Sequence, residues 1–143
     1  MKDSLGIALH FLKFRPRSVF EVEEKLKTKR FGEKEIKRTI QTLRKNGLLD
    51  DKKFAKMWIR DRNLLRPSGS YLLKMELRKL GISDDNIEDA LKDQNEEELA
   101  KKALESKHRY RNADFTKQAQ FLQRRGFPTS IIYKIIKNRS KLS

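Results

Sequence analysis

The chain contains no cysteine. That absence removes disulfide frameworks, cysteine-based zinc sites and thiol catalysis together. Proline and glycine are scarce, three and six in 143 residues. So few backbone breakers favour helix over a β-sandwich or barrel, both of which need many turns. Long apolar runs are missing as well. The one that starts at Leu5 is broken by His10 and Lys13, too soon to span a bilayer. No signal-peptide cleavage pattern follows it, so a cytoplasmic location is expected. The two histidines, His10 and His108, are far apart and sit at no recognisable metal-ligand spacing. His10 is read as an ordinary, partly buried side chain. The glycines form neither a phosphate-cradling G-x-x-x-x-G-K loop nor a dinucleotide fingerprint. Catalytic residues, cofactors and metals are therefore not expected, and the chain is read as a binding protein rather than an enzyme.

Acids are few relative to bases. Lys and Arg number 35 against 20 Asp and Glu, a net charge of +15. A field of that size favours polyanionic partners, nucleic acid first among them, with an anionic membrane surface or an acidic protein as the bland alternatives. Apolar residues make up 36% and charged residues 38%. That suits thin helical layers better than one thick core.

A repeated apolar rhythm organises the chain. It reads Leu26, Phe31, Ile36, Ile40, then Leu77, Ile82, Ile87, Leu91, then Leu122, Phe127, Ile132, Ile136, with internal spacing 5, 5, 4 each time. Copies are offset by 51 and then 45 residues, a period that signals a repeat architecture. The spacing of five has a physical meaning. A helix often ends with a left-handed residue, usually glycine, just past its cap, and the next residue packs back on the one five earlier. Gly81–Ile82 closes on Leu77 in this way, Gly126–Phe127 on Leu122, and Gly47–Leu48 on Leu43. The i, i+4 pairs Ile87/Leu91 and Ile132/Ile136 then form the buried stripe of the following helix. In the first copy Arg30 stands where the others have glycine, with Gly32 two residues later. Arg is strained in the left-handed region, so a different turn is expected there.

A further helix precedes each pair. Residues 5–14 carry Leu5, Leu9 and Leu12 on one side, 53–65 carry Phe54/Trp58 and Ala55/Ile59, and 97–107 carry Leu99/Ala103 and Ala100/Leu104. Ser18 with Glu21 makes a capping box. Asp50 and Asp51 suit a helix N-terminus. Pro16, Pro67 and Pro128 fall between helices, where a missing N–H does least harm. The expected fold is all-α: three tandem three-helix repeats at about 1–48, 49–94 and 95–143, stacked into an elongated array, straight or curved.

Charge is unevenly placed. Residues 99–143 hold twelve Lys and Arg against two acids, which makes the third repeat the best polyanion-facing surface. Its candidate contacts are Lys107, Arg109, Arg111, Arg124, Arg125, Lys134 and Lys137, with Lys117 and Arg139 as further basic residues. Arg60, Arg62 and Arg66 form a second cluster, and Lys25, Lys27, Lys29 and Arg30 a third. Several neutralised phosphates make binding fall steeply with salt. Tyr110, between Arg109 and Arg111, is read as packing on a neighbouring helix, with base stacking as the competing role. The stretch from Asp84 to Glu98 holds eight acids and one base. It is read as a solvated face, because acid/base chemistry needs burial or coupling.

The run Gly47-Leu48-Leu49-Asp50-Asp51, followed by Phe54-Ala55 and Trp58-Ile59-Arg60 with Arg62, resembles the signature stretch of the RecX family. Leu77-Arg78-Lys79-Leu80-Gly81-Ile82 resembles that family's second turn, and Phe121-Leu122-Gln123-Arg124-Arg125-Gly126-Phe127 its C-terminal motif. The resemblance covers nearly the whole chain in order. It implies three tandem three-helix repeats and a role in DNA recombination, repair and the SOS response. The implied partners are the RecA recombinase filament and the single-stranded DNA it coats, with the protein lying in the filament groove and inhibiting strand exchange and ATP hydrolysis. It implies no catalytic residues, no cofactor and no membrane, and a monomer is expected. Phe54, Trp58 and Leu122 look like fold determinants; Arg60, Arg62, Arg124 and Arg125 look like binding positions. Two other readings compete. One is a helix-turn-helix transcription factor, with Leu80-Gly81-Ile82-Ser83 as its turn; four acids among residues 84–89 repel phosphate there. The other is a helical scaffold whose charge serves solubility.

Overall fold

The structure is a computed structural model that describes residues 3–142, with side chains up to residue 138. The Arg139 side chain lies outside the described residues. The first three helices are α1 (Ser4–Phe14), α2 (Val19–Thr28) and α3 (Glu33–Lys45). They are followed by α4 (Asp51–Leu65), α5 (Ser70–Lys79) and α6 (Asp84–Leu91). The last four are α7 (Glu96–Ser106), α8 (His108–Arg111), α9 (Phe115–Arg124) and α10 (Thr129–Leu142). Apart from the single turn of α8, the helices recur in trios, and each proline lies between helices. The α8 turn was not anticipated. It is held by Tyr110, whose ring stacks on Phe121 at 4.3 Å, in keeping with the packing role expected for it.

The chain ends each middle helix as its spacing requires. The Ile82 N–H donates to the Leu77 carbonyl at 3.1 Å and the Phe127 N–H to Leu122 at 3.2 Å. Gly81 and Gly126 are left-handed, with φ of 77° and 87°. The inner bond from the glycine N–H to the residue three back is 3.0 Å in both, which completes the two-bond Schellman closure. The first trio corrects the expectation of a different turn. Arg30 itself is left-handed, φ 67°. The Phe31 N–H donates to Leu26 at 3.2 Å and Arg30 N–H to Lys27 at 2.9 Å. A left-handed non-glycine residue costs about 1–2 kcal/mol. The hydrogen bonds, and Phe31 packed on the cluster that buries Leu26, outweigh it.

Other details depart from the pattern. Leu48 donates its N–H to Leu43 at 2.8 Å, but its side chain is half exposed and Leu49 fills the core instead. On α1 the fully buried residues are Ser4 and Ala8, and Leu9 is turned largely outward. His10 is exposed rather than partly buried, packed edge-on against Phe14 at 5.1 Å. Each of these sits one position away from a better-placed neighbour, a rotation of about 100° that an apolar count does not detect.

The described residues fall into two compact units. One runs to Lys56 and resumes at Leu77–Asp89; the other takes Met57–Glu76 and the chain from Ala90 onward. Each unit contains the same joint. In the first, the turn after α5 meets the start of α2. Ser18 Oγ donates to the Leu80 carbonyl at 2.6 Å, and the Val19 N–H donates to Asp51 Oδ1, at the start of α4, at 2.9 Å. In the second, the turn after α9 meets the start of α5. Gly69 N–H donates to the Arg125 carbonyl at 2.6 Å and Tyr71 N–H to that of Gly126 at 3.0 Å. Ser70 N–H donates to the Glu96 carboxylate, at the start of α7, at 3.1 Å. Both joints use one chemistry. A helix N-terminus has N–H groups with no partner inside its own helix. An acid from the next trio's first helix supplies an acceptor, and its charge suits the helix dipole. Burial pushes the Asp51 carboxyl above its ordinary range, against the Val19 N–H and Arg44, which pull it down.

The joint also demands glycine for a reason beyond φ. A Cβ on Gly81 would stand 2.3 Å from the Phe20 Cβ, and one on Gly126 would stand 2.3 Å from the Leu72 nitrogen. Gly47 has a similar φ of 73° with nothing within 4 Å of its Cβ position. Arg30 is exposed, which is why a side chain is tolerated there.

Three substitutions separate backbone strain from docking. Arg30→Gly should raise stability by about 1 kcal/mol, and Gly47→Ala should lower it by about as much. Gly126→Ala should cost about 3 kcal/mol or more, because strain and a backbone clash act together. Thermal and urea unfolding of the three variants checks the order. Equal losses at Gly47 and Gly126 would remove the docking role.

Candidate functional site

The second unit holds a groove of about 640 Å3. The end of α4 contributes Arg62 and Arg66, and α5 contributes Leu72 and Glu76. The α7–α8 link and α8 contribute Lys107, Arg109 and Tyr110; α9 and its cap contribute Phe121, Arg124 and Arg125. Six cationic side chains thus face one carboxylate. The groove has the charge of a phosphate-binding surface and an aromatic element in the same wall.

Each cation is held differently. Arg62 forms a two-pronged pair with Glu76, Nε to Oε1 at 3.1 Å and Nη2 to Oε2 at 2.7 Å. Glu76 Oε1 also accepts from the Trp58 Nε1–H at 3.1 Å, and the Arg62 guanidinium lies 5.3 Å from the Trp58 ring. A fork of this kind fixes direction as well as charge. Arg66 is exposed at the end of α4. Arg124 donates to the Tyr110 hydroxyl at 3.0 Å, and the Arg109 guanidinium sits 5.7 Å from the same ring. Lys107 and Arg109 are exposed.

Arg125 is unlike the other groove cations. It is only 4% exposed. Its Nη1 donates to the Pro67 carbonyl at 2.8 Å and its guanidinium lies 4.9 Å from the Phe121 ring. Burial and the neighbouring charge of Arg66 hold its pKa below the ordinary arginine value. It ties the α9 cap to the loop before α5.

The sequence-predicted site residues divide. Arg62, Arg66, Lys107, Arg109, Arg124 and Arg125 come together in the groove; Arg60, Arg111, Lys134 and Lys137 do not line it. Arg60 is exposed beside Asp61 at 3.4 Å. Arg111 approaches His108 Nδ1 at 2.8 Å. Lys134 pairs with Glu97 at 3.1 Å, and Lys137 is exposed on α10. In the other unit, Lys25 lies over Phe11 and Lys27 pairs with Glu24. Glu76 and the Trp58 contact were not foreseen. Their partners lie 14 and 18 residues apart, beyond any helical register.

The acidic stretch is more engaged than a solvated face. Asp84 pairs with Arg78 at 3.1 Å, Asp89 with Lys56 at 3.5 Å, and Glu96 caps α5. Among the described residues no cluster of three or more His, Asp or Glu side chains is placed to hold a metal. No helix among them is long and apolar enough to cross a membrane.

Comparison with known proteins agrees with the helix trios. Family models match in chain order: the RecX first three-helix domain over residues 5–43, the second over 50–91 and the third over 95–136. The regulatory protein RecX of Thermotoga maritima is 36% identical over 94% of this chain and 83% of its own. That of Mycolicibacterium smegmatis is 30% identical over 94% and 78%. The regulatory protein RecX of a Geobacillus species is 33% identical over 95% of this chain, but the match covers 53% of the longer protein. The match covers 61% of the Prosthecochloris aestuarii protein of that name, so the chain spans roughly half to three fifths of the last two relatives. The crystal structure of RecX from Lactobacillus salivarius is similar at a TM-score of 0.84 and 29% identity, covering 94% of this chain and 93% of that one.

If the groove carries the charge, its cations set the salt dependence. For a fluorescent oligothymidylate, Arg124→Gln should reduce the slope of log K against log salt by about 0.7. Arg60→Gln should leave it unchanged. Anisotropy titrations at several salt concentrations measure both, and equal slopes for the two variants would remove the groove from the contact.

Proposed function

The chain belongs to the RecX family, and from that premise we propose that it is a non-enzymatic regulator of the RecA recombinase. In this reading it binds RecA nucleoprotein filaments on single-stranded DNA and inhibits strand exchange and ATP hydrolysis. The observation that carries the reading is the groove of the second unit, where Arg62, Arg66, Lys107, Arg109, Arg124 and Arg125 converge around one acid, Glu76. Such a surface meets the phosphate backbone of a filament-bound strand, which fixes position without reading sequence. In this reading the exposed acids of α6, Asp84 and Asp85 among them, meet basic patches of the recombinase. Modules at 1–48, 49–94 and 95–143, acting as a monomer in the cytoplasm, complete the proposal.

A sequence-reading helix-turn-helix protein fits less well. The helix after the Gly81 turn opens with Asp84 and Asp85, both exposed, and such a helix is repelled by phosphates in a groove. A scaffold without a nucleic-acid role leaves the convergence of six cations without a purpose.

Titration of the chain into RecA, single-stranded DNA and ATP tests the proposal. Hydrolysis should fall and filaments shorten at a chain concentration well below that of RecA. Arg66→Glu combined with Arg124→Glu should weaken inhibition about tenfold or more at unchanged helicity, because reversed charges meet phosphates. No effect on the filament, with tight binding to one duplex sequence, would overturn the reading.

A further inference from the structure

Arg125 is a buried cation held by one carbonyl and one aromatic ring, Pro67 and Phe121, and by no carboxylate. More than nine-tenths of the residue is shielded from solvent, yet it lines the groove. Among the described residues the Pro67 carbonyl is its one hydrogen-bond acceptor, and no carboxylate pairs with it. A guanidinium carries five N–H donors in a planar fork, so most of its donors have no protein partner. The one carboxylate of the groove, Glu76, is already committed to Arg62 and Trp58. The next cation, Arg66, adds charge of the same sign. Elsewhere the fold pairs such groups: Arg17, also mostly buried, lies 3.7 Å from Glu21. None of its unbonded nitrogens is sealed from solvent, so its free donors open on the groove, and a groove of about 640 Å3 has room for a bound counter-anion.

We propose that Arg125 and Arg66 form a discrete oxyanion subsite in the groove, built to seat a single phosphate group of a nucleic-acid strand. The inference deepens the reading of this groove as the polyanion-facing surface and rests on it. Phosphate fits better than a protein carboxylate. A tetrahedral phosphate has oxygens enough to accept from two guanidinium groups at once, and its charge suits a wall with this excess of cations. Lys107 and Arg109, exposed on α8 and its approach, hold flanking phosphates as point charges. Arg125 differs from the exposed flanking contacts in being largely shielded from solvent, which strengthens its electrostatics and weakens screening by salt. It therefore retains the anion at salt concentrations that release the exposed contacts.

The test uses the full chain and inorganic phosphate as the probe. Phosphate is titrated at constant ionic strength, balanced with chloride, and binding is followed by 31P line broadening and by emission of Trp58, the one tryptophan. The expected result is saturable 1:1 binding. Arg66→Gln should weaken it about tenfold, the loss of one charge-assisted contact, and Arg60→Gln should leave it unchanged. Arg125→Lys, which keeps the charge but loses the fork, should weaken it at least as much. Circular dichroism shows whether that variant folds, and Arg66→Gln decides the matter if it does not. An oligothymidylate should displace the phosphate with the same dependence on Arg66. Non-saturable binding, or binding indifferent to Arg66, overturns the subsite. Displacement by a glutamate-rich peptide but not by the oligothymidylate overturns its assignment to nucleic acid. If phosphate fails to bind while the chain still inhibits RecA in chloride buffer, the subsite falls and the filament reading stands. If phosphate binds and the filament is unaffected, the reverse holds.

Discussion

The structure depends on how the start of a middle helix is satisfied. The first N–H groups of α2 and α5 have no intrahelical acceptors, and both helix starts are packed against other parts of the chain. An unpartnered buried amide costs about 1–3 kcal/mol. The fold answers with two groups at once: a carboxylate at the start of the next trio, Asp51 or Glu96, and the turn after the next middle helix. That turn approaches so closely that a Cβ would overlap Phe20 or Leu72. Glycine at 81 and 126 is thus required twice, by dihedral angle and by contact. Position 30 meets only the first requirement, and arginine meets it at a tolerable cost.

The same joint builds the candidate site. Arg125 is both the C-cap of α9 and the residue that reaches the Pro67 carbonyl. Holding the α9 turn against the start of α5 therefore brings Arg124 and Arg125 beside Arg62 and Arg66, which lie about 60 residues earlier. The Tyr110–Phe121 stack carries Lys107 and Arg109 to the same place through α8. Like charges gathered in this way repel, and one of them is desolvated. An arrangement of that kind reduces stability in the absence of an anion and favours binding when one is present. Glu76 limits the repulsion by engaging Arg62, and in doing so fixes the Trp58 edge.

Much of this was legible in the amino-acid order. The all-helical character, the recurring trios and the left-handed turns at Gly47, Gly81 and Gly126 follow from spacing and from the chemistry of helix ends. These are local effects, decided within about five residues. The resemblance to the RecX family points the same way, and the matching family models agree with it. Four residues mark where local effects stop. Arg30 adopts a conformation that its residue type disfavours and that its exposure makes tolerable. Leu9, His10 and Leu48 depend on helix rotation against neighbours, which an apolar count leaves open.

The sequence by itself determined the helical trios, most of their buried positions and an excess of positive charge, because each is set by residue type and near-neighbour spacing. Only the tertiary structure decided which cations converge. It left Arg60, Arg111, Lys134 and Lys137 outside the groove, buried Arg125, and recruited Glu76 as the partner of Arg62. Those outcomes turn on contacts between residues as many as 58 positions apart. The angle at which one helix turn docks on another sets them, and that angle is a property of packing rather than of local order.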